Sequence, residues 1–136
     1  MTINIKAIHE NLVQNETKGR KTSGFSIPLN DYEEFVKNAK KLNVSRSKYV
    51  NAFLEDFMED PTKITLSMLE YTKRRKQTRK PQGFSLRDIF DDFSEHIARR
   101  RKKLTAEERP LYSASSIVSY YIIQFNKWID NGGASE

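Results

Sequence analysis

Gly24-Phe25-Ser26-Ile27-Pro28-Leu29 and Gly83-Phe84-Ser85-Leu86-Arg87-Asp88 open with the same three residues, 59 positions apart. In the first copy Phe25, Ile27 and Leu29 alternate with Ser26 and Pro28; in the second Phe84 and Leu86 alternate with Ser85 and Arg87. A period of two predicts a strand with one buried face. Each copy also follows a basic, polar lead, Gly19-Arg20-Lys21-Thr22-Ser23 and Thr78-Arg79-Lys80-Pro81-Gln82.

Outward from the first copy, the period changes to that of a helix. Asn30 as an Asx cap, with Glu33 three residues on, predicts a capping box. Tyr32, Phe35, Val36, Ala39 and Leu42 then lie along one face, and Asn43-Val44 ends the helix. Ser45-Arg46-Ser47 opens a second helix with the stripe Tyr49, Val50, Phe53, Leu54 and Phe57, which Asp60-Pro61 closes. The second copy repeats the order. Phe90, Phe93 and Ile97 match Tyr32, Phe35 and Ala39; Ser113-Ala114-Ser115 matches Ser45-Arg46-Ser47; Ile117, Val118, Tyr121, Ile122 and Phe125 match the second stripe. The difference is an insertion of about ten residues within Arg99–Tyr112. An ordered set found twice is an internal duplication.

The chain therefore divides into an N-terminal arm (1–18), a first strand-helix-helix unit (19–60), a basic linker with a short helix carrying Leu66, Met68 and Leu69 (61–80), a second unit (81–130) and a tail (131–136). Ile5, Ile8 and Leu12 sit at helical spacing in the arm, which fits either a packed or a frayed segment. One strand with two helices cannot close a core, whereas two copies can. The expected fold is mostly α with a two-stranded antiparallel β-ribbon, a pseudo-symmetric pair of units forming one compact domain. Phe25, Ile27, Phe84 and Leu86 face inward. Thr22, Gly24, Ser26, Gly83, Ser85 and Arg87 form a short, small, polar outer face, of a size that the B-DNA major groove admits.

Of 136 residues 37% are apolar, with eight Phe, six Tyr and one Trp, enough for a modest core. The net charge is +6, and three blocks free of acids hold 14 of the 24 basic residues: Lys18–Lys21, Lys73–Lys80 and Arg99–Lys103. Two of them stand just before the repeated motif, which points to a polyanionic partner. With no cysteine there is no disulfide or thiolate metal site. His9 and Glu10 interrupt any signal-peptide core, and the apolar run Tyr120–Ile123 is far too short to span a bilayer, so a cytoplasmic chain without a membrane partner is expected. His9 and His96 lack metal-ligand spacing, and no catalytic constellation or phosphate-cradling loop stands out, so neither enzyme activity, cofactor nor metal is expected.

The residues Phe25–Leu29 before a helix, Val44–Phe57, Gly83–Asp88 and Ser113–Phe125 resemble the ribbon-helix-helix DNA-binding proteins, the group that includes Arc and the methionine repressor. The resemblance covers roughly residues 20–58 and 81–129. In that family two chains form the ribbon; this chain is similar to the tandem forms among conjugative-plasmid DNA-transfer proteins. The resemblance implies a sequence-specific double-stranded DNA-binding protein whose outward residues Thr22, Gly24, Ser26, Ser85 and Arg87 contact bases. It also implies phosphate contacts from Ser45, Arg46, Ser47, Ser113 and Ser115 at the second helices, with Lys21, Lys80, Arg99, Arg100 and Arg101 beside them. Pro28 opposite Arg87 in the repeat, with the one-sided insertion, predicts an imperfect or directional site. That suits a relaxosome accessory that recruits a relaxase or other DNA-processing protein, or else a transcriptional repressor. An antitoxin-like interaction module is the alternative, disfavoured because only Asn131–Glu136 follow the last helix. Tyr120, Ile123 and Trp128 lie off the last helix's stripe, and so predict either packing on the arm or linker helix or contact with a second copy on DNA.

Overall fold

The computed structural model describes residues 3–12, 21–73 and 78–133. In order come α1 (Ile5–Glu10), β1 (Lys21–Pro28), α2 (Leu29–Lys41), α3 (Arg46–Glu59), a 3₁₀ turn (Pro61–Lys63), α4 (Leu66–Lys73), β2 (Arg79–Leu86), α5 (Ile89–Arg101) and α6 (Ala114–Asp130). The chain is thus mostly helical, with one two-stranded antiparallel sheet among the described residues. Its register places Gly24 opposite Gly83, flanked by Thr22 opposite Ser85 and Ser26 opposite Pro81. On the other face Phe25 and Phe84 are diagonal neighbours with ring centroids 6.0 Å apart, and both are buried with Ile27 and Leu86.

Under this face lie α3 and α6. Their expected stripes, Tyr49, Val50, Phe53, Leu54 and Phe57 against Ile117, Val118, Tyr121, Ile122 and Phe125, are at most 1% exposed. Tyr49 meets Phe125 and Phe53 meets Tyr121, so the two helices run in opposite directions. Phe35 of α2 and Phe93 of α5 close the core from either side, against Phe125 and Phe57 respectively.

Two local expectations are corrected. Leu29 is not the last strand residue but the first of α2, and Asn30 does not open that helix: Pro28 stands at the N-cap position and no side chain caps it. The reason is the ribbon. The Leu29 N–H, at the first helical position, donates to the Thr78 carbonyl at 2.8 Å, so the helix starts directly from the paired ribbon. Correspondingly, Arg79 and Lys80, assigned to the linker, belong to β2.

The helix ends follow their local chemistry. Asn43 takes φ of 59°, and Asn43 and Val44 N–H bond back to the Lys40 and Ala39 carbonyls, the paired bonds of a Schellman stop. Residues 131–133, read as tail, make the same stop for α6: Gly132 has φ of 80°, and the Gly133 N–H reaches the Trp128 carbonyl. A Cβ on Gly133 would stand 2.2 Å from the Trp128 indole nitrogen, so this glycine is demanded by the ring beside it.

The arm is packed. Ile5, Ile8 and Leu12 are buried; His9 Nδ1 lies 2.7 Å from the Tyr49 hydroxyl, and its ring sits tilted against Trp128 with centroids 5.3 Å apart. Tyr120 and Ile123 are buried within the chain, where α1, α2 and α4 cover α6; Lys127 sits over the Tyr71 ring of α4. Tyr120 and Ile123 are thus covered inside one molecule, and Trp128 is half-buried beside His9. The described residues contain no helix long and apolar enough to cross a membrane.

Candidate nucleic-acid interface

A two-stranded ribbon has two open edges, each a row of unpaired backbone groups. Here the helices close them in a crossed manner. The Ser85 N–H of β2 donates to Ser47 Oγ of α3 at 2.9 Å, and the Ser26 N–H of β1 donates to Ser115 Oγ of α6 at 2.8 Å. The second helix of each half thus holds the strand of the other half. Asn51, one turn beyond Ser47, donates to the Ser85 carbonyl at 3.1 Å and accepts from the Arg87 N–H at 2.9 Å.

The matching position in α6 is Ser119, and its surroundings differ for a covalent reason. Arg87 is matched in the first half by Pro28, which has no N–H to satisfy. A short hydroxyl therefore suffices there. The Ser26 carbonyl is served by Arg79, whose Nη2 reaches it at 2.8 Å and also bonds Ser119 Oγ at 3.2 Å. Burial lowers the Arg79 pKa, opposed by the nearby Asp31 carboxylate.

With both edges held, the outer face is what remains. Thr22, Gly24, Pro81, Gly83 and Ser85 are exposed and Ser26 is half-buried. Neither strand carries a carboxylate. Neither glycine is needed by the fold: both lie outside the left-handed region, and a Cβ would meet Gln82 O at 3.5 Å or Thr22 Cγ2 at 3.8 Å, both ordinary contacts. The glycine pair therefore leaves a flat strip at the centre of the ribbon that packing does not explain.

The expected base-contacting residues Thr22, Gly24, Ser26 and Ser85 come together on this face; Arg87 does not join them there. It follows the last strand residue, and its guanidinium pairs with Glu55 of α3, leaving its side chain 15% exposed. Of the helix-start residues, Ser45 and Ser113 cap their own helices, accepting from Lys48 and Ser116 N–H at 3.1 and 3.0 Å. Ser47 and Ser115 instead accept from the strands, and each hydroxyl keeps its own proton for donation. Arg46 is exposed and contacts the Tyr32 hydroxyl. Lys80 is exposed beside the ribbon, opposite Ile27 in the register. The side chain of Lys21, expected beside it, lies outside the described residues.

The basic block sits at the end of α5. Arg99 pairs with Glu95 at 2.9 Å on the surface, and the Arg100 guanidinium lies 5.9 Å from the Tyr112 ring centre. Tyr112 accompanies His96 through a 3.0 Å contact between its hydroxyl and Nε2. Burial, then Arg99 and Arg100, lower the His96 pKa, and burial pushes the Tyr112 phenol up to about 12. No group of three or more His, Cys, Asp or Glu among the described residues could hold a metal.

Sequence reading missed Asn51, Arg79 and Ser119 as builders of this face. The signal for Asn51 was present: an asparagine inside a helix, on the border of an apolar stripe, is costly unless a backbone group meets it. Comparison with protein-family models, with curated proteins and with solved structures returns no match.

Proposed function

We propose that this chain is a double-stranded DNA-binding protein of tandem ribbon-helix-helix form. In this reading the duplicated units make a pseudo-symmetric ribbon that enters the major groove. The observation that carries it is the bare outer face of the ribbon: small, polar, free of carboxylates, and bearing a central glycine pair that the fold itself does not require. The major groove, about 12 Å wide, admits a two-stranded ribbon, and small side chains let its backbone approach the base edges closely. Thr22, Ser26 and Ser85 reach base edges, Gly24 and Gly83 allow close approach, and Arg87 reaches a base by exchanging Glu55 for it. The starts of α3 and α6, with Arg46, Lys80 and Lys21, meet phosphates, where first-turn amides and the helix dipole favour an anion.

The unlike halves give the site a direction. Pro28 stands against Arg87, Ser119 against Asn51, and only the second unit carries the inserted basic block. A symmetric dimer imposes a palindrome, whereas this chain does not. A directional mark suits a relaxosome accessory in DNA transfer and, with an operator in place of a nick site, a repressor. Footprinting on the DNA flanking its gene distinguishes the two.

Titration of duplex binding with salt is the direct test. About six phosphate contacts give a slope of log affinity against log salt near −5, at about −0.9 per contact. A flat response would end this reading. The glycines supply a sharper one. Gly83→Ala should stabilise the fold by roughly 0.5–1 kcal/mol, because alanine in a strand loses less chain entropy. The same methyl should weaken duplex binding by about 1–3 kcal/mol, the cost of overfilling a close contact. Opposite signs in urea unfolding and in binding are the expected result; unchanged affinity would remove the glycine pair from the interface.

A further inference from the structure

The insertion that distinguishes the second half from the first folds back on the body, burying Leu104 and Tyr112, and leaves a groove. Pro61, Ile64, Leu66 and Tyr112 floor a cavity of about 380 Å³ beside the 3₁₀ turn, with His96 and Arg100 on its edge. Those same two residues border a second cleft, of about 400 Å³, that Arg99, Lys102 and Lys103 complete. The two openings adjoin at His96 and Arg100, one with an apolar floor and the other rimmed by cations. No carboxylate lines either part.

We propose that this groove docks an acidic segment of a partner protein, with an aromatic or aliphatic side chain on the Ile64–Tyr112 floor and carboxylates along Arg100, Lys102 and Lys103. Charge complementarity selects the acidic chain, since four cations border the opening and the Arg99–Glu95 pair, 65% exposed on both sides, is easily exchanged. The floor selects protein over nucleic acid. A DNA backbone offers phosphates to the rim and nothing to an apolar cavity, whereas a peptide fills both through an anchor residue in a pocket. The site joins the linker residues Pro61, Ile64 and Leu66 to the insertion, which the first half lacks. It goes beyond DNA recognition by the ribbon and stands or falls separately from it.

The test uses the full chain, isotope-labelled, with two peptides of 12 residues and a 20-base-pair duplex of arbitrary sequence. One peptide is Asp- and Glu-rich with a Phe and a Leu three residues apart; the other has Ser at both places. The anchored peptide should bind at least about tenfold more tightly, moving the Ile64, His96 and Tyr112 resonances. The double variant Arg100→Ala, Lys102→Ala should lose at least about tenfold. Leu66→Asn, at a half-buried position, should lose the preference for the anchored peptide while leaving the ribbon resonances in place. Equal binding of both peptides, or binding of neither, would overturn the proposal. So would a duplex that moves Tyr112 and displaces the peptide, which would assign the groove to DNA. Ribbon resonances at Gly83 and Ser85 report DNA recognition independently in the same samples.

Discussion

Replacing Asn51 with alanine should destabilise the protein by about 2–5 kcal/mol, whereas Ser119→Ala should cost about 1 kcal/mol or less. Asn51 is 6% exposed and serves two backbone groups of β2 and its end, the Ser85 carbonyl and the Arg87 N–H. Truncation leaves both without the partner that closes that edge, at roughly 1–2.5 kcal/mol for each of these part-buried groups. Ser119 occupies the matching place in α6, yet the loss there is a single bond to Arg79, which keeps its bond to the Ser26 carbonyl. The N–H that Ser119 would otherwise have to satisfy does not exist, because the residue is Pro28. Urea unfolding of the two variants measures the difference. Equal losses would show that the edge bonds do not carry the ribbon. A control sharpens the comparison: in the background Arg87→Pro the Asn51→Ala penalty should shrink, since one of its two dependants is gone.

The second large effect is at the centre of the core. Phe53→Ala should cost about 3–5 kcal/mol, the range for removing a buried phenyl ring. Phe53 is fully buried, and its ring faces Tyr121 at 5.2 Å, Tyr49 at 6.0 Å and Phe35 at 6.2 Å. It is a contact through which α3 and α6 hold each other, so its loss weakens both halves together. Against a total stability of about 5–15 kcal/mol for a typical domain, that is a large fraction. Denaturation followed by far-UV circular dichroism and by tyrosine fluorescence should give one coincident transition at lower urea. Two separated transitions would mean that the halves unfold independently and that the core is not shared.

Much of this architecture was legible in the residues. Period two at Phe25–Ile27 and Phe84–Leu86 located the buried face of the ribbon, and helical spacing located both stripes, because burial against water forces those periods. Ser45 and Ser113 announced the starts of α3 and α6, since a serine oxygen is the local acceptor for the first free amides. One reading failed where a distant partner sets the local geometry. Asn30 had the pattern of a cap, but the helix starts at Leu29, whose N–H is held by Thr78, 49 residues away in the chain. Arg87 had the spacing of an outward strand residue, and its pairing with Glu55 on α3 had no local signal. Whether Ile5, Ile8 and Leu12 packed or frayed was open in the sequence, because an amphipathic segment of six to eight residues has no stability of its own. The groove prepared for it by Tyr49 and Trp128 settled that.

The sequence by itself determined the repeated strand and helix patterns, their buried faces and the placement of the basic blocks. Each of these depends on neighbours within a few residues, or on repetition along the chain. Only the tertiary structure decided the crossing of the halves, in which Ser47 and Asn51 of the first unit hold β2 while Ser115 of the second holds β1. Hydrogen bonds of this kind join groups 34 to 89 residues apart and have no periodic trace. The same holds for the cavity that Ile64, Leu66 and Tyr112 line together. Directional bonds to backbone and the closure of a cavity are properties of the assembled surface, and no local pattern encodes them.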